Sequence, residues 1–262
     1  KYITITEGEA DAMAVNEMFD GKWPAVSIRS GAAGAAKDIK ANLEQVKKSF
    51  QNPNCKLVAV SKTKPLSDLQ AAYAAGIRDF GENKVQEIQA KQPEMPADTR
   101  WHMIGHLQSN KIKYIAPFIH LIHGVDSFKL LVEIDKQGKK IDRPIPVLLQ
   151  IHIATEESKF GFDRDELEAM LSSPEFANLT HVQIQGLMGM ASFTENQEQI
   201  RTEFRGLKQL YEDLKKRALP SFVNLQELSM GMSGDYIIAQ EEGSTMVRIG
   251  SSIFGARNYP NS

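Results

Sequence analysis

The chain has 262 residues, 42% hydrophobic and 24% charged, the composition of an ordinary globular protein of one large or two small domains. Its formal net charge of −2 supplies no general attraction to nucleic acid or to an anionic membrane. No apolar run reaches the roughly 18 residues of a membrane span, no leader pattern precedes a cleavage site, and the single cysteine, Cys55, allows neither an intrachain disulfide nor a cysteine metal cluster. A cytoplasmic protein is expected, with Cys55 packed as a small hydrophobe.

The first forty residues read as a strand, a helix, a second strand and a glycine-alanine turn leading into a helix. Within them, ITEGEADAMAV and PAVSIRSGAAGAAKD resemble the TOPRIM fold of phage-type primase-helicases. That resemblance implies a metal-binding role for Glu7, shared with a later Asp-x-Asp pair. Magnesium needs several oxygen ligands, and the sequence passes into ANLEQVKKSFQ before any such pair occurs. Residues 1–40, which begin at Lys1 without a methionine, are therefore expected to be a truncated fragment joined near Lys40 to the rest. Glu7 and Asp11 are read as solvated or structural carboxylates.

Beyond that fragment the pattern alternates. Short apolar or β-branched runs predict strands over 56–61, 78–80, 101–104, 121–125, 147–153, 184–188, 227–230 and 246–249. Helical periodicity lies between them, over 66–75, 83–91, 109–117, 127–139, 164–172, 195–216 and 235–241. Strand–helix alternation requires crossovers and hence a parallel sheet. Eight units predict a closed (β/α)8 TIM barrel over 41–262, of class α/β, with a doubly wound open sheet as the alternative. No Gly-x-Gly-x-x-Gly turn follows the first strand, which favours the barrel. Pro65 suits an early helical position with Ser67 as a nearby cap, and Ser127 suits the cap of the next helix. Ile200, Phe204, Leu207, Leu210, Tyr211 and Leu214 form one stripe and are read as packing.

The C-terminal strand ends of such a barrel face its active site. The first strand ends VAVSKTKP, an apolar run closing on two lysines. Side-chain alternation gives Lys62 the parity of Val58 and Val60, so Lys62 is the candidate for the lumen and Lys64 for the rim. The turns MGMSGD and RIGSSIFG, after the seventh and eighth strands, are placed where barrels commonly bind phosphate. Ser233, Gly250 and Ser251 supply N–H and hydroxyl donors there, or the glycines merely turn the chain. A phosphate cradle facing a strand-end amine suggests a phosphorylated aldehyde held as a Schiff base.

Together VAVSKTKP, FGENKVQE, WHMIGHLQSNK, GLMGMASF, LSMGMSGDY and GSTMVRIGSSIFGAR resemble the YggS/PROSC family of pyridoxal 5′-phosphate homeostasis proteins, over about residues 40–259. The resemblance implies a single barrel similar to the N-terminal domain of alanine racemase, with the cofactor on Lys62. It implies Arg248 near the pyridine nitrogen, Asn83 and Met188 along the ring, and Ser229 with Ser233 on the phosphate side. Asn83 also suits a helix cap, and Arg248 a structural ion pair. His102 and His106 show no carboxylate partner in the sequence, and no histidine spacing marks a metal site.

Three functions follow from these expectations. The first is a carrier that holds the aldehyde reversibly in intracellular homeostasis and delivers it to amines or apo-enzymes, without strong catalysis of its own. The second is an amino-acid racemase, which needs an acid/base on each face of the cofactor. In racemases a separate β-domain brings the second group, and this chain stops shortly after FGARNY, so a monomeric carrier is expected. The third, nucleic-acid processing through residues 1–40, lacks the second acidic motif and a basic stripe.

Overall fold

The computed structural model describes residues 4–6, 25–27, 32–155 and 160–255. Strands β1 (Thr4–Thr6) and β2 (Ala25–Ser27) pair in parallel, Thr4 against Ala25. Glu7 and Asp11 lie outside the described residues.

Helix α1 (Ala32–Lys48) runs without a break through residue 40, so the expected junction near Lys40 falls inside a helix. Ile39, Leu43 and Val46 recur at spacings of four and three and bury one face of α1 in the main core. The Asn42 amide donates to the Ile253 carbonyl at 3.0 Å, tying α1 to the last helical turn of the described chain. By packing, residues 39–46 belong to the barrel.

The strands of that barrel are β3 (Lys56–Val60), β4 (Asp79–Glu82), β5 (Arg100–Met103), β6 (Leu121–Val125), β7 (Ile145–Gln150), β8 (Val182–Met188), β9 (Val223–Met232) and β10 (Met246–Ile249). All pair in parallel, and β10 closes on β3 with Arg248 opposite Val58. The intervening helices are α2 (Leu66–Ala74), α3 (Val85–Lys91), α4 (Ile112–Ile115), α5 (Phe128–Lys140), α6 (Arg164–Leu171), α7 (Pro174–Ala177), α8 (Gln197–Lys215), α9 (Tyr236–Glu241) and α10 (Ser251–Phe254). Among the described residues, no helix is long and apolar enough to cross a membrane.

Alternation sorts the side chains into two layers. Ala59, Phe80, Trp101, Met103 and Ile122 pack outward with the helices in the main core. Val58, Leu121, Leu148, Met188 and Met246 form a separate cluster in the lumen. Cys55 is buried, as expected.

Several boundaries differ from the predicted ones for physical reasons. Strand β9 begins at Val223, four residues before the predicted start, since residues 223–226 alternate half-buried with exposed positions and form no apolar run. Strand β7 stops at Gln150, where Ile151 leaves the ladder for an isolated bridge to Phe162. Ser109–Lys111 form a 3₁₀ turn before α4 in place of one continuous helix. Pro65 is the cap residue of α2 and Ser67 lies within the helix, so no side chain caps it, whereas the Ser127 hydroxyl does accept from the Leu130 N–H. Leu43→Ala would open a cavity beneath α1 and is expected to cost about 2–5 kcal/mol. Urea unfolding of the full chain measures this, and an unchanged midpoint would place α1 outside the core.

Candidate functional site

A cavity of about 550 Å³ opens at the C-terminal ends of the strands, within the range of small-molecule sites. Its lining includes Lys62, Asn83, Ser233, Arg248, Gly250 and Ser251 from the sequence-derived set. Met188 and Ser229 do not line it. Both are fully buried deeper in the lumen, and Met190, two residues beyond Met188, reaches the cavity wall. Alternation predicts which way a side chain points but not its depth along the barrel axis.

Lys62 is aimed by the turn that carries it. The Lys64 N–H donates to the Ser61 carbonyl at 3.1 Å, and Thr63 adopts φ +63°, a left-handed conformation uncommon for a β-branched residue. The Thr63 N–H is held by Glu87 Oε2 at 2.7 Å. Behind the turn, Lys91 Nζ donates to the Ser61 carbonyl (3.0 Å), to Glu82 Oε1 (2.8 Å) and to Glu87 Oε2 (2.9 Å), and the Ser61 hydroxyl donates to Glu82 at 2.6 Å. Backbone strain beside a lysine at a cavity mouth is what over-determined functional turns show. The second lysine has a different task. Lys64 Nζ donates to the Phe254 and Gly255 carbonyls at 2.7 and 3.2 Å, at the C-terminal end of α10.

Arg248 forms part of the floor. It is only 4% exposed, and burial lowers its pKa to about 10, so it stays charged at neutral pH. Nη1 donates to the Ser229 carbonyl (2.8 Å) and hydroxyl (2.6 Å), and Nη2 to the Gly189 carbonyl (3.1 Å). No carboxylate pairs with it at salt-bridge distance among the described residues, which sets aside the ion-pair alternative. At the opposite wall, the Ser233 hydroxyl accepts from the Gly250 N–H at 3.2 Å and joins the turns after β9 and β10. A Cβ on Gly250 would lie 3.0 Å from the Val60 carbonyl oxygen, so glycine lets this turn close against β3. Asn83 caps no helix, since α3 starts at Val85 after Lys84. It lines the cavity with Gly105 behind it, where a Cβ would come within 2.6 Å of the Asn83 carbonyl.

Both histidines without an evident partner in the sequence do have carboxylates. His102 Nε2 lies 3.0 Å from Asp79 Oδ1 and His106 Nδ1 lies 2.8 Å from Asp126 Oδ2. These pairs join neighbouring strands through the barrel register, which spacing along the chain does not display. His106 also stacks on Phe160 at 4.7 Å, and both residues line the cavity rim. Among the described residues, Asp79, His102 and His120 offer possible metal-ligand atoms within 4.8 Å of one another. Arg100 already engages both Asp79 oxygens, at 2.7 and 2.5 Å, so the group is read as ion-paired.

Residues 35–258 match the family model of the alanine racemase N-terminal domain. The pyridoxal phosphate homeostasis protein of Aquifex aeolicus is 36% identical over 231 residues, covering 86% of this chain and 99% of that protein. That of Haemophilus influenzae is 41% identical over 220 residues, covering 82% and 91%. The chain belongs to the pyridoxal phosphate homeostasis family. PipY of Synechococcus elongatus, solved with PLP bound, superposes with a TM-score of 0.75 at 36% identity, covering 83% of this chain and all of that one. Alanine racemase from Bartonella henselae shares the fold at TM-score 0.62 and 16% identity, and this chain covers 61% of its length.

Family membership leaves the buried carboxylate beside the Lys62 turn to be explained by its surroundings. Burial pushes Glu82 up to about 7 from an ordinary 4.5, against the lowering pull of Lys91 and Ser61. A raised carboxyl pKa contributes stability that is fully present below pH 4.5 and is lost as pH rises through about 7. Glu82→Gln is therefore expected to remove a loss of up to about 3 kcal/mol between pH 4.5 and 8. Denaturant titrations at both pH values check this, and a variant with the same pH slope as the parent chain contradicts it.

Proposed function

We propose that the chain binds pyridoxal 5′-phosphate in the 550 Å³ cavity, through the Lys62 amine as a Schiff base, and serves as a carrier in pyridoxal phosphate homeostasis. The observation that carries this reading is the joint placement of Lys62, the buried Arg248 cation and the Ser233–Gly250–Ser251 turns around one cavity. Two relatives bearing the homeostasis name and the PLP-bound PipY support it.

The residues present fit the group. An amine, a cation and a set of hydroxyl and N–H donors converge from different strand ends, while Val60, Ile104 and Met190 supply apolar wall. When bound, the group supplies a reactive aldehyde, which an amine takes up reversibly with loss of water. Lys62 provides that amine, aimed by its strained turn. Ser233, Ser251 and the first-turn N–H groups of α10 would receive the phosphate oxygens. Arg248 would hold its proton and face the ring nitrogen as a donor, which would leave that nitrogen unprotonated and the ring a poor electron sink. Such a site favours holding and releasing the cofactor over racemisation.

Delivery to apo-enzymes or to free amines follows from reversible attachment. Purified protein supplied with pyridoxal 5′-phosphate is expected to absorb in the visible, and Lys62→Ala to lose that band while keeping its fold. Lys64→Ala is expected to keep the band. Sustained conversion of L-alanine to D-alanine by the loaded chain would favour the racemase reading, and a colourless chain that retains no cofactor would refute both.

A further inference from the structure

Barrels of this class ordinarily fill the lumen with branched apolar side chains. Here a file of polar groups runs down it from the cavity towards the opposite mouth. Arg248 Nη1 donates to Ser229 Oγ at 2.6 Å, and that oxygen lies 3.0 Å from His123 Nδ1. His123 Nε2 lies 2.9 Å from His102 Nδ1, and His102 Nε2 lies 3.0 Å from Asp79 Oδ1. Ser229, His123 and His102 are fully buried, while Asp79 is the first residue of β4, at the N-terminal end of the barrel. Two imidazoles and a hydroxyl cost more to bury than the apolar filling usual at these positions. Packing alone does not account for them.

The two ends restrict the direction of every bond between them. Arginine only donates, so Ser229 Oγ accepts from Arg248. Burial pushes Asp79 up, but hydrogen bonds from Arg100 and His102 more than offset it and hold it below the usual carboxylate range. Ionised Asp79 only accepts, so His102 carries a proton on Nε2. Burial keeps His123 neutral, with one N–H to give.

Two arrangements remain. In the first, the Ser229 hydroxyl donates to His123 Nδ1 and His123 Nε2–H donates to His102 Nδ1. In the second, His102 holds another proton on Nδ1, which His123 Nε2 accepts. His123 Nδ1–H then donates to Ser229 Oγ, and the serine O–H is free for another acceptor in the lumen. The second state holds one more proton: the His123 Nε2 proton passes to His102 Nδ1, the Ser229 hydroxyl proton passes to His123 Nδ1, and a proton taken up from the cavity side restores the serine O–H, so the added charge rests on His102.

We propose that Asp79, His102, His123 and Ser229 form a proton relay that couples protonation of His102, towards the N-terminal mouth of the barrel, to the hydrogen-bond direction at the Arg248 end of the cofactor cavity. The functional half of this inference rests on the reading that the cavity holds pyridoxal 5′-phosphate. These are positioning residues, acting through Arg248 and the Ser229 hydroxyl. The charged and titratable groups facing the relay are Arg100 on Asp79, His120 with its ring 5.2 Å from that of His102, Lys56 paired with Glu227 at the same mouth, and Arg248 at the top, where the Asp235 charge acts on it. Burial lowers His120 to about 4, so it stays neutral over the working range.

The test is a pH titration of the histidine ring nitrogens by ¹⁵N NMR on the whole chain, first without and then with added pyridoxal 5′-phosphate. His123 is expected to carry its proton on Nε2 at high pH and to move it to Nδ1 at the midpoint where His102 gains a second proton. Asp79→Asn should lower that midpoint by about one pH unit or more, since a nearby opposite charge is removed, and Asp79→Glu should restore it. In the loaded chain the visible band should step at the same midpoint, and Ser229→Ala should abolish the step. A His123 ring that keeps one tautomer throughout, a midpoint indifferent to Asp79→Asn, or a loaded chain with no spectral step would each overturn the relay. Should Asp79→Asn fail to fold, the tautomer titration of the unaltered chain still decides. If the chain takes up no cofactor, the functional reading fails while the tautomer titration still judges the relay itself.

Discussion

Burying a guanidinium without a carboxylate partner costs several kcal/mol unless its donors are satisfied, and the lumen is arranged around meeting that cost at Arg248. Two backbone carbonyls and the Ser229 hydroxyl take three of its hydrogen bonds and leave its charge at the cavity floor. Those acceptors come from β9 and from the residue after β8, so the position of the cation depends on the closed register of three adjacent staves. Opposite it, Lys62 depends on a different neighbourhood. The Ser61–Glu82–Lys91–Glu87 cluster spans the ends of β3 and β4 and helix α3, and it holds the strained Thr63 turn. One buried polar cluster therefore positions the amine and another positions the cation.

Much of this was legible in the sequence wherever a local rule governs. Eight strands with helices between them follow from hydrophobic period, and the closing strand Met246–Ile249 falls where its apolar run places it. The parity of Lys62 with Val58 and Val60 is also local, because the alternation persists for two residues beyond β3. Lys64 shares that parity, and what separates the two lysines is the α10 carbonyls that engage Lys64.

What stayed hidden depends on register and depth. Asp79 sits opposite Arg100, and Gly81 opposite His102, so the Asp79–His102 contact is a diagonal across two strands that no spacing along the chain reveals. Met188 and Ser229 share the lumen with the cavity residues but lie deeper along the axis, where parity is silent. Strand β9 begins in a half-exposed stretch that alternates and carries no apolar run. The motif resemblance implies a junction near Lys40, and helix α1 runs from Ala32 to Lys48 across that point.

The central claim is that the Lys62 amine, and no other, is the point of covalent attachment. Borohydride reduction of the chain loaded with pyridoxal 5′-phosphate, followed by proteolysis and mass spectrometry, tests it directly. The account predicts one adduct, on Lys62. An adduct on Lys64, or an unmodified chain after reduction, would contradict it.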